Sequence, residues 1–216
     1  MRIRKKPHTE EKLKNFTDFV TIENIGEERQ GTWRKIFGED LTRELHVELG
    51  TGKGDFICQL AEKNPNKNFL GLEVEKEVVL KAARKIQEKN LSNVRLAVFD
   101  INKIAEIFAD GEVDRLYINF CDPWPKKKHA KRRLTFGTFL DMYRKILKPG
   151  GEIHFKTDNR GLFDFSLEQF AEKNFEVRDV TFDLHLNEPP ENIRTEYENK
   201  FSAQGVQINR CVAAVK

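Results

Sequence analysis

The stretch Leu45-His46-Val47-Glu48-Leu49-Gly50-Thr51-Gly52-Lys53-Gly54 decides the fold. Its first five residues predict a strand, and its glycines predict a tight turn. Asp55 to Lys63 follows with an apolar face that is typical of a helix. This order predicts the start of an α/β fold with a ligand at the turn. A plain connection between a strand and a helix gives the same pattern, so the turn alone identifies no ligand.

The alternation of strands and helices continues along the chain. Strands are predicted at 69–73, 94–100, 113–120 and 152–158, and helices at 75–90, 136–147 and 162–173. Residues 175–184 and 207–215 predict an antiparallel hairpin at the sheet edge. We therefore expect an α/β fold with a mostly parallel sheet, helices on both faces and this C-terminal hairpin.

Composition narrows the class of protein. The 216 residues suit one domain over residues 31–216, preceded by a basic arm over residues 1–30 that need not be ordered. Three widely spaced cysteines argue against a disulfide framework or a zinc site and favour a reducing cytosol. No apolar run is long enough for a membrane span, and no secretory signal is apparent. We expect a cytoplasmic protein without a metal.

Three classes of ligand are candidates for the glycine turn. A P-loop needs a different spacing and a hydroxyl after the lysine, where Gly54 stands. A dinucleotide fingerprint needs a third glycine where Asp55 stands, and that acid would repel a pyrophosphate. S-adenosylmethionine, with its cationic sulfonium, ribose diol and adenine, suits acids at successive strand ends. The cofactor-binding residues predicted in this way are Glu48, Gly50, Gly52, Glu73, Asp100 and Asp122.

A second motif follows the fourth strand of this alternation. Asn119-Phe120-Cys121-Asp122-Pro123-Trp124-Pro125 ends that strand, because its two prolines cannot donate to a ladder. Six of the next eight residues, 126–133, are lysine or arginine, a pattern that indicates a polyanion as partner. A turn followed by a solvated charged loop would look the same. Trp124 either stacks on a base or packs against the turn.

With these residues in hand, the chain resembles the bacterial tRNA (guanine-N7)-methyltransferases over nearly its whole length. The resemblance is carried by the glycine motif at 47–54, Asp122-Pro123-Trp124-Pro125-Lys126, the basic run through Arg133, the motif at 154–159 and Thr195-Glu196-Tyr197-Glu198. It implies a Rossmann-like class I methyltransferase that modifies the variable-loop guanine of tRNA. It also implies RNA or guanine contacts from Lys126, Lys128, His129, Ala130, Lys131, Arg132, Arg133, Asp158, Thr195, Glu196, Tyr197 and Glu198.

The chemistry of guanine N7 sets the expected role of Asp122. This nitrogen carries a lone pair and no proton, so its attack on a methyl group needs no general base. We expect Asp122 to be the catalytic residue, as a neighbour of the cofactor that holds the guanine and stabilises its developing positive charge. Asp158 is the second candidate for gripping the base.

Other classes of protein remain open at this point. A nucleic-acid methyltransferase that modifies an exocyclic amine would use a similar acid-and-proline corner. A non-catalytic RNA-binding module could keep the fold, and Asp55 disfavours a dinucleotide oxidoreductase. The chain is expected to act on tRNA as a monomer or a homodimer.

Overall fold

The computed structural model describes residues 8–23 and 25–216, and the chain divides into two compact units, 1–108 and 109–216. Each unit contains four of the eight strands found among the described residues. No change of composition marks residue 108 in the sequence, and the single domain over residues 31–216 stays a prediction.

The first unit is built on parallel strands in the order β1-β4-β3-β2. The strands are β1 (Val20–Thr21), β2 (Leu45–Leu49), β3 (Asn68–Glu73) and β4 (Val94–Val98). The helices are α1 (Thr9–Leu13), α2 (Asp55–Lys63), α3 (Lys76–Glu88) and α4 (Ile104–Ile107). Short 3-10 helices span Lys14–Phe16, Glu27–Arg29, Trp33–Phe37 and Ile101–Lys103. Apolar faces of α2 and α3 pack on the sheet through residues such as Ile57, Val79 and Ile86.

Much of the predicted N-terminal arm belongs to the first unit. Leu13, Phe16 and Val20 are buried in the same core as α2 and α3, and Val20 pairs with Leu96 of β4. Lys76 of α3 forms an ion pair with Glu10 at 2.5 Å. Residues 9–21, part of the segment predicted as an arm, thus carry apolar side chains three and four residues apart that cover this core. Residues 1–7 and Asn24 lie outside the described residues, and the arm stays a prediction for residues 1–7.

The second unit has its strands in the order β5-β6-β8-β7. The strands are β5 (Val113–Asn119), β6 (Leu147–Thr157), β7 (Glu176–Thr181) and β8 (Asn209–Ala214). The helices are α5 (Gly137–Ile146), α6 (Arg160–Glu172) and α7 (Glu196–Ser202), and Lys127–Arg132 forms a 3-10 helix. β5 and β6 are parallel, whereas β8 runs antiparallel to both β6 and β7.

Most of the predicted elements are confirmed. The alternation gives mostly parallel strands joined by helices, and the antiparallel pair β7 and β8 is the predicted C-terminal hairpin. β6 begins at Leu147, five residues before the predicted strand, because Gly150 and Gly151 exchange backbone hydrogen bonds with Val215. Over the described residues, every helix is too short or too polar to cross a bilayer.

Candidate cofactor and nucleic-acid sites

The glycine turn between β2 and α2 leaves open space beside its backbone. Gly50 and Gly52 have φ of +75° and +57°, a region that side chains with a Cβ rarely adopt. A Cβ added at Gly50 would meet nothing within 4 Å, and one at Gly52 would meet only the Gly50 carbonyl at 4.0 Å. A ligand can therefore approach this backbone closely. Gly54 differs, since a Cβ there would lie 2.8 Å from Ala82.

Hydrogen bonds fix the position of the turn beside Glu48 and Glu73. The Thr51 hydroxyl donates to Glu48 at 2.6 Å, and the Glu48 side chain is buried. The backbone N–H groups of Gly50 and Thr51 both donate to the carbonyl of Leu72 in β3. The turn is thus held against the ends of β2 and β3.

Glu73, at the end of β3, is tied directly to the glycine turn. Its carboxylate accepts a hydrogen bond from the Gly52 N–H at 3.2 Å, and others from Val74 at 2.8 Å and Glu75 at 3.1 Å. Three backbone donors use most of the roughly four acceptor positions of a carboxylate, so its orientation is fixed. The predicted neighbourhood of Glu73 and the glycines is present in the structure.

The third acid, Asp100, follows the end of β4. In the parallel register Leu49 pairs with Leu72, and Glu73 pairs with Val98, so β2, β3 and β4 end at one edge. The exposed Asp100 caps the 3-10 helix after β4, and its Oδ1 accepts from the Asn102 N–H at 3.0 Å. Three carboxylates around an open backbone turn suit the cationic sulfonium, the hydroxyls and the amino group of S-adenosylmethionine.

In the second unit, the corner that carries Asp122 has an unusual backbone. Asp122 is exposed just beyond β5, and the residues two positions before and after it, Phe120 and Trp124, have φ of +52° and +41°. Such conformations in non-glycine residues cost about 1–3 kcal/mol each and gather at functional sites. Burial raises the pKa of the neighbouring Cys121 thiol to about 12, so this side chain is not a thiolate nucleophile at neutral pH.

The basic run after this corner folds as a 3-10 helix rather than an open loop. Lys126, Lys127, Lys128, Lys131 and Arg132 are exposed, whereas His129, Ala130 and Arg133 are half-buried. The Arg132 guanidinium lies 4.9 Å from the centre of the Trp124 ring, and His129 meets the same ring at 5.7 Å. Trp124 is thus packed by the basic run in this structure, and its stacking on a base stays a prediction.

Asp122, Asp158 and Tyr197 gather in the second unit. The half-exposed Tyr197 ring lies between Phe120 at 5.4 Å and Phe201 at 4.3 Å. Burial raises the pKa of Tyr197, and the charges of Asp158 and Asp122 raise it further. The ends of β5 and β6 and the start of α7 therefore bring three predicted site residues together. Glu196 is exposed beside them.

Thr195 and Glu198 have a different environment from the one that a direct RNA contact would need. They form a capping box at the start of α7, and the Glu198 side chain is fully buried. Glu198 pairs with Lys156 of β6 at 2.7 Å and accepts from His185 at 2.9 Å and Asn192 at 3.0 Å. Burial acts to raise the pKa of Glu198, but the charge and hydrogen bond of Lys156, together with the hydrogen bonds from His185 and Asn192, leave that pKa below its ordinary value.

Sequence reasoning missed this buried cluster, although one signal was present. Lys156, which lies within β6, is buried and also donates to the Ile193 carbonyl at 2.8 Å. Its partner lies 42 residues away. The Thr-x-x-Glu spacing of Thr195 and Glu198 is a known helix-start signature and would have predicted α7.

One group of side chains near this cluster could hold a metal ion. His185, Glu188 and Glu198 place their ligand atoms within 4.8 Å of one another. Lys156 already pairs with Glu198, and Arg194 forms an ion pair with Glu188. The two negative charges are therefore balanced by the protein's own cations.

The chain is similar to many curated bacterial proteins over its full length. A family model described as putative methyltransferase matches residues 42–211. A protein of Geobacillus sp. named tRNA (guanine-N(7)-)-methyltransferase is 46% identical, covering 98% of this chain and 94% of its own. One of the same name from Alkaliphilus oremlandii is 44% identical over 100% of both chains. This chain belongs to the bacterial tRNA (guanine-N(7)-)-methyltransferase family.

Solved structures of low sequence identity share the fold. The aminoglycoside resistance methyltransferase NpmB1 matches with a TM-score of 0.59 at 19% identity, covering 88% of this chain and 91% of its own. An antibiotic-related methyltransferase matches with a TM-score of 0.58 at 17% identity, covering 81% and 89%. The fold is that of the class I methyltransferases, as predicted.

Proposed function

We propose that this protein transfers a methyl group from S-adenosylmethionine to N7 of a guanine in tRNA. One observation carries the proposal: Glu48 and Glu73 flank an open glycine turn in a chain whose full-length relatives are named for this reaction. We further propose that this guanine lies in the variable loop of tRNA, as the family resemblance implies.

The first unit supplies the residues proposed to bind the cofactor. When bound, S-adenosylmethionine supplies a methyl group on a cationic sulfonium. Glu48 faces its positive charge, Glu73 accepts from the ribose hydroxyls and Asp100 accepts from the adenine amino group. Gly50 and Gly52 let the backbone come close, since no protein atom occupies the position of a Cβ beside Gly50.

The second unit supplies the residues proposed to hold the base. Asp122 binds the guanine and stabilises the positive charge that develops when N7 is methylated. Asp158 binds the Watson–Crick edge of the guanine, and Tyr197 lies near both Asp122 and Asp158. Holding the base in line is the largest expected effect, up to about 7–11 kcal/mol in well-oriented systems.

The remaining predicted residues support RNA binding in two ways. The exposed cations Lys126, Lys128, Lys131 and Arg132 bind phosphates, with His129 and Ala130 contributing surface along the same run. Thr195 and Glu198 shape the segment from which Glu196 and Tyr197 face the RNA, because their own side chains bond each other's backbone.

Methyl transfer from labelled cofactor to bulk tRNA, followed by nucleoside analysis, tests the proposal. The expected product is 7-methylguanosine, and chemical cleavage at that nucleoside should map it to the variable loop. Label on an exocyclic amine would contradict the N7 assignment. A folded protein that binds tRNA but not the cofactor would instead be an RNA-binding module.

A further inference from the structure

Arg133 differs from the exposed cations of the basic run in the direction of its side chain. Its Nε donates to the Pro123 carbonyl at 3.1 Å, and its Nη2 donates to the Trp124 carbonyl at 3.1 Å. The guanidinium also lies 4.3 Å from the centre of the Phe165 ring of α6. The edge of the guanidinium formed by Nε and Nη2, and one face of it, are therefore used within the protein.

The segment that Arg133 holds, residues 123–125, has few backbone donors of its own to keep it in place. Pro123 and Pro125 have no N–H to donate, and Trp124 between them has a positive φ. Asp122 directly precedes Pro123 and is exposed, so its carboxylate direction depends on the backbone of this corner. Two hydrogen bonds from Arg133 to the carbonyls of Pro123 and Trp124 tie that backbone to α6 through Phe165.

We propose that Arg133 is a positioning residue for Asp122, and that it is not one of the phosphate contacts of the basic run. This inference rests on the proposed function. The planar guanidinium supplies two donors at a fixed separation, which matches two neighbouring carbonyls. A lysine keeps the charge but cannot make this paired contact.

The test compares Arg133→Lys with Lys131→Met, a change at an exposed cation two residues away. Wild-type protein must first form 7-methylguanosine; if it does not, the proposed function fails and Arg133 is not at issue. With activity established, Arg133→Lys should lower the single-turnover rate at saturating tRNA by about 10- to 100-fold. Its tRNA affinity and the salt dependence of that affinity should match wild type.

Lys131→Met should show the opposite pattern. Its tRNA affinity should fall, and the log-log slope of affinity against salt should drop by about one unit. Phe165→Leu removes the ring under the guanidinium without touching the corner or the run. It should lower the single-turnover rate in the same direction as Arg133→Lys, and thermal unfolding confirms that each variant folds.

Two results would overturn the assignment. A folded Arg133→Lys variant with the wild-type single-turnover rate would show that the corner does not need the guanidinium. A lower salt slope in an Arg133→Met variant, equal to that of Lys131→Met, would make Arg133 a phosphate contact. A loss of rate with unchanged affinity and slope supports the positioning role.

Discussion

At the scale of single residues, Glu73 joins the glycine turn to the proposed ribose site. Its carboxylate accepts hydrogen bonds from the Gly52 N–H and two further backbone N–H groups, so its orientation is set before any ligand binds. A pre-oriented acceptor loses little freedom on binding, which strengthens the contact that it makes.

Glu73→Ala should therefore weaken S-adenosylmethionine binding by roughly 1.5–3 kcal/mol, the usual loss for a hydrogen bond to a charged group. Calorimetric titration measures this change directly. Glu62→Ala serves as the control, since this acid lies on α2 in a surface pair with Lys89 and should leave the affinity unchanged. Equal affinity for Glu73→Ala and wild type, with the fold intact, would remove the ribose assignment.

At the scale of elements, the buried pair of Lys156 and Glu198 fastens the start of α7 to β6. Lys156 lies two residues before Asp158, and Glu198 lies one residue after Tyr197. The pair thus holds two elements that carry proposed guanine contacts. Its side chains are 6% and 0% exposed, so neither charge has water to replace a lost partner.

Lys156→Met should lower the free energy of unfolding by about 3–5 kcal/mol, because it leaves the Glu198 carboxylate buried without its cation. Urea unfolding measures the loss. Lys89→Met, in a surface pair with Glu62, should cost far less, because water screens the two charges. Similar losses in the two variants would contradict the view that the buried pair fastens α7.

The sequence predicted those parts of the site that local patterns encode. Glu48, Glu73 and Asp100 could be proposed as cofactor contacts because acids at the ends of parallel strands meet at one edge. The burial of Lys156 could not be predicted, because its partner Glu198 is 42 residues away in sequence and residues 192–193 of the loop before α7 cover it. The packing of Leu13, Phe16 and Val20 was missed because elements of five, three and two residues are too short for such a spacing to stand out. The positive φ of Trp124 could not be predicted, because tryptophan as a residue type does not favour that conformation.

At the scale of the whole molecule, three carboxylates link stability to pH. Bonds from Lys67, His154 and Arg194 lower the pKa values of Glu44, Glu152 and Glu188, respectively, to about 2. In the unfolded chain these groups titrate near 4.5. Between these values the unfolded state binds more protons than the folded state, so stability rises with pH.

The free energy of unfolding should therefore decrease progressively as the pH falls from about 4.5 toward 2. Urea unfolding at a series of pH values measures the slope. Arg194→Gln removes the first cause of the low pKa of Glu188 and should make the slope shallower. A variant slope equal to that of wild type would show that the Glu188 contact does not contribute.

The charge of Asp122 is the central claim of the proposed mechanism. Asp122→Asn keeps the shape of the corner but removes the negative charge that would face a base becoming cationic. The single-turnover rate of 7-methylguanosine formation should fall by roughly two to three orders of magnitude. Binding of tRNA should stay near wild type, since the proposed phosphate contacts lie in the basic run.

The pH dependence of that rate, measured for wild type and Asp122→Asn, is the most direct test. Guanine N7 has no proton to remove, so the deficit of Asp122→Asn should stay constant as the pH rises above neutrality. A deficit that shrinks steadily with rising pH would indicate proton abstraction and hence an amine target. A folded Asp122→Asn variant with the wild-type rate would contradict the account outright.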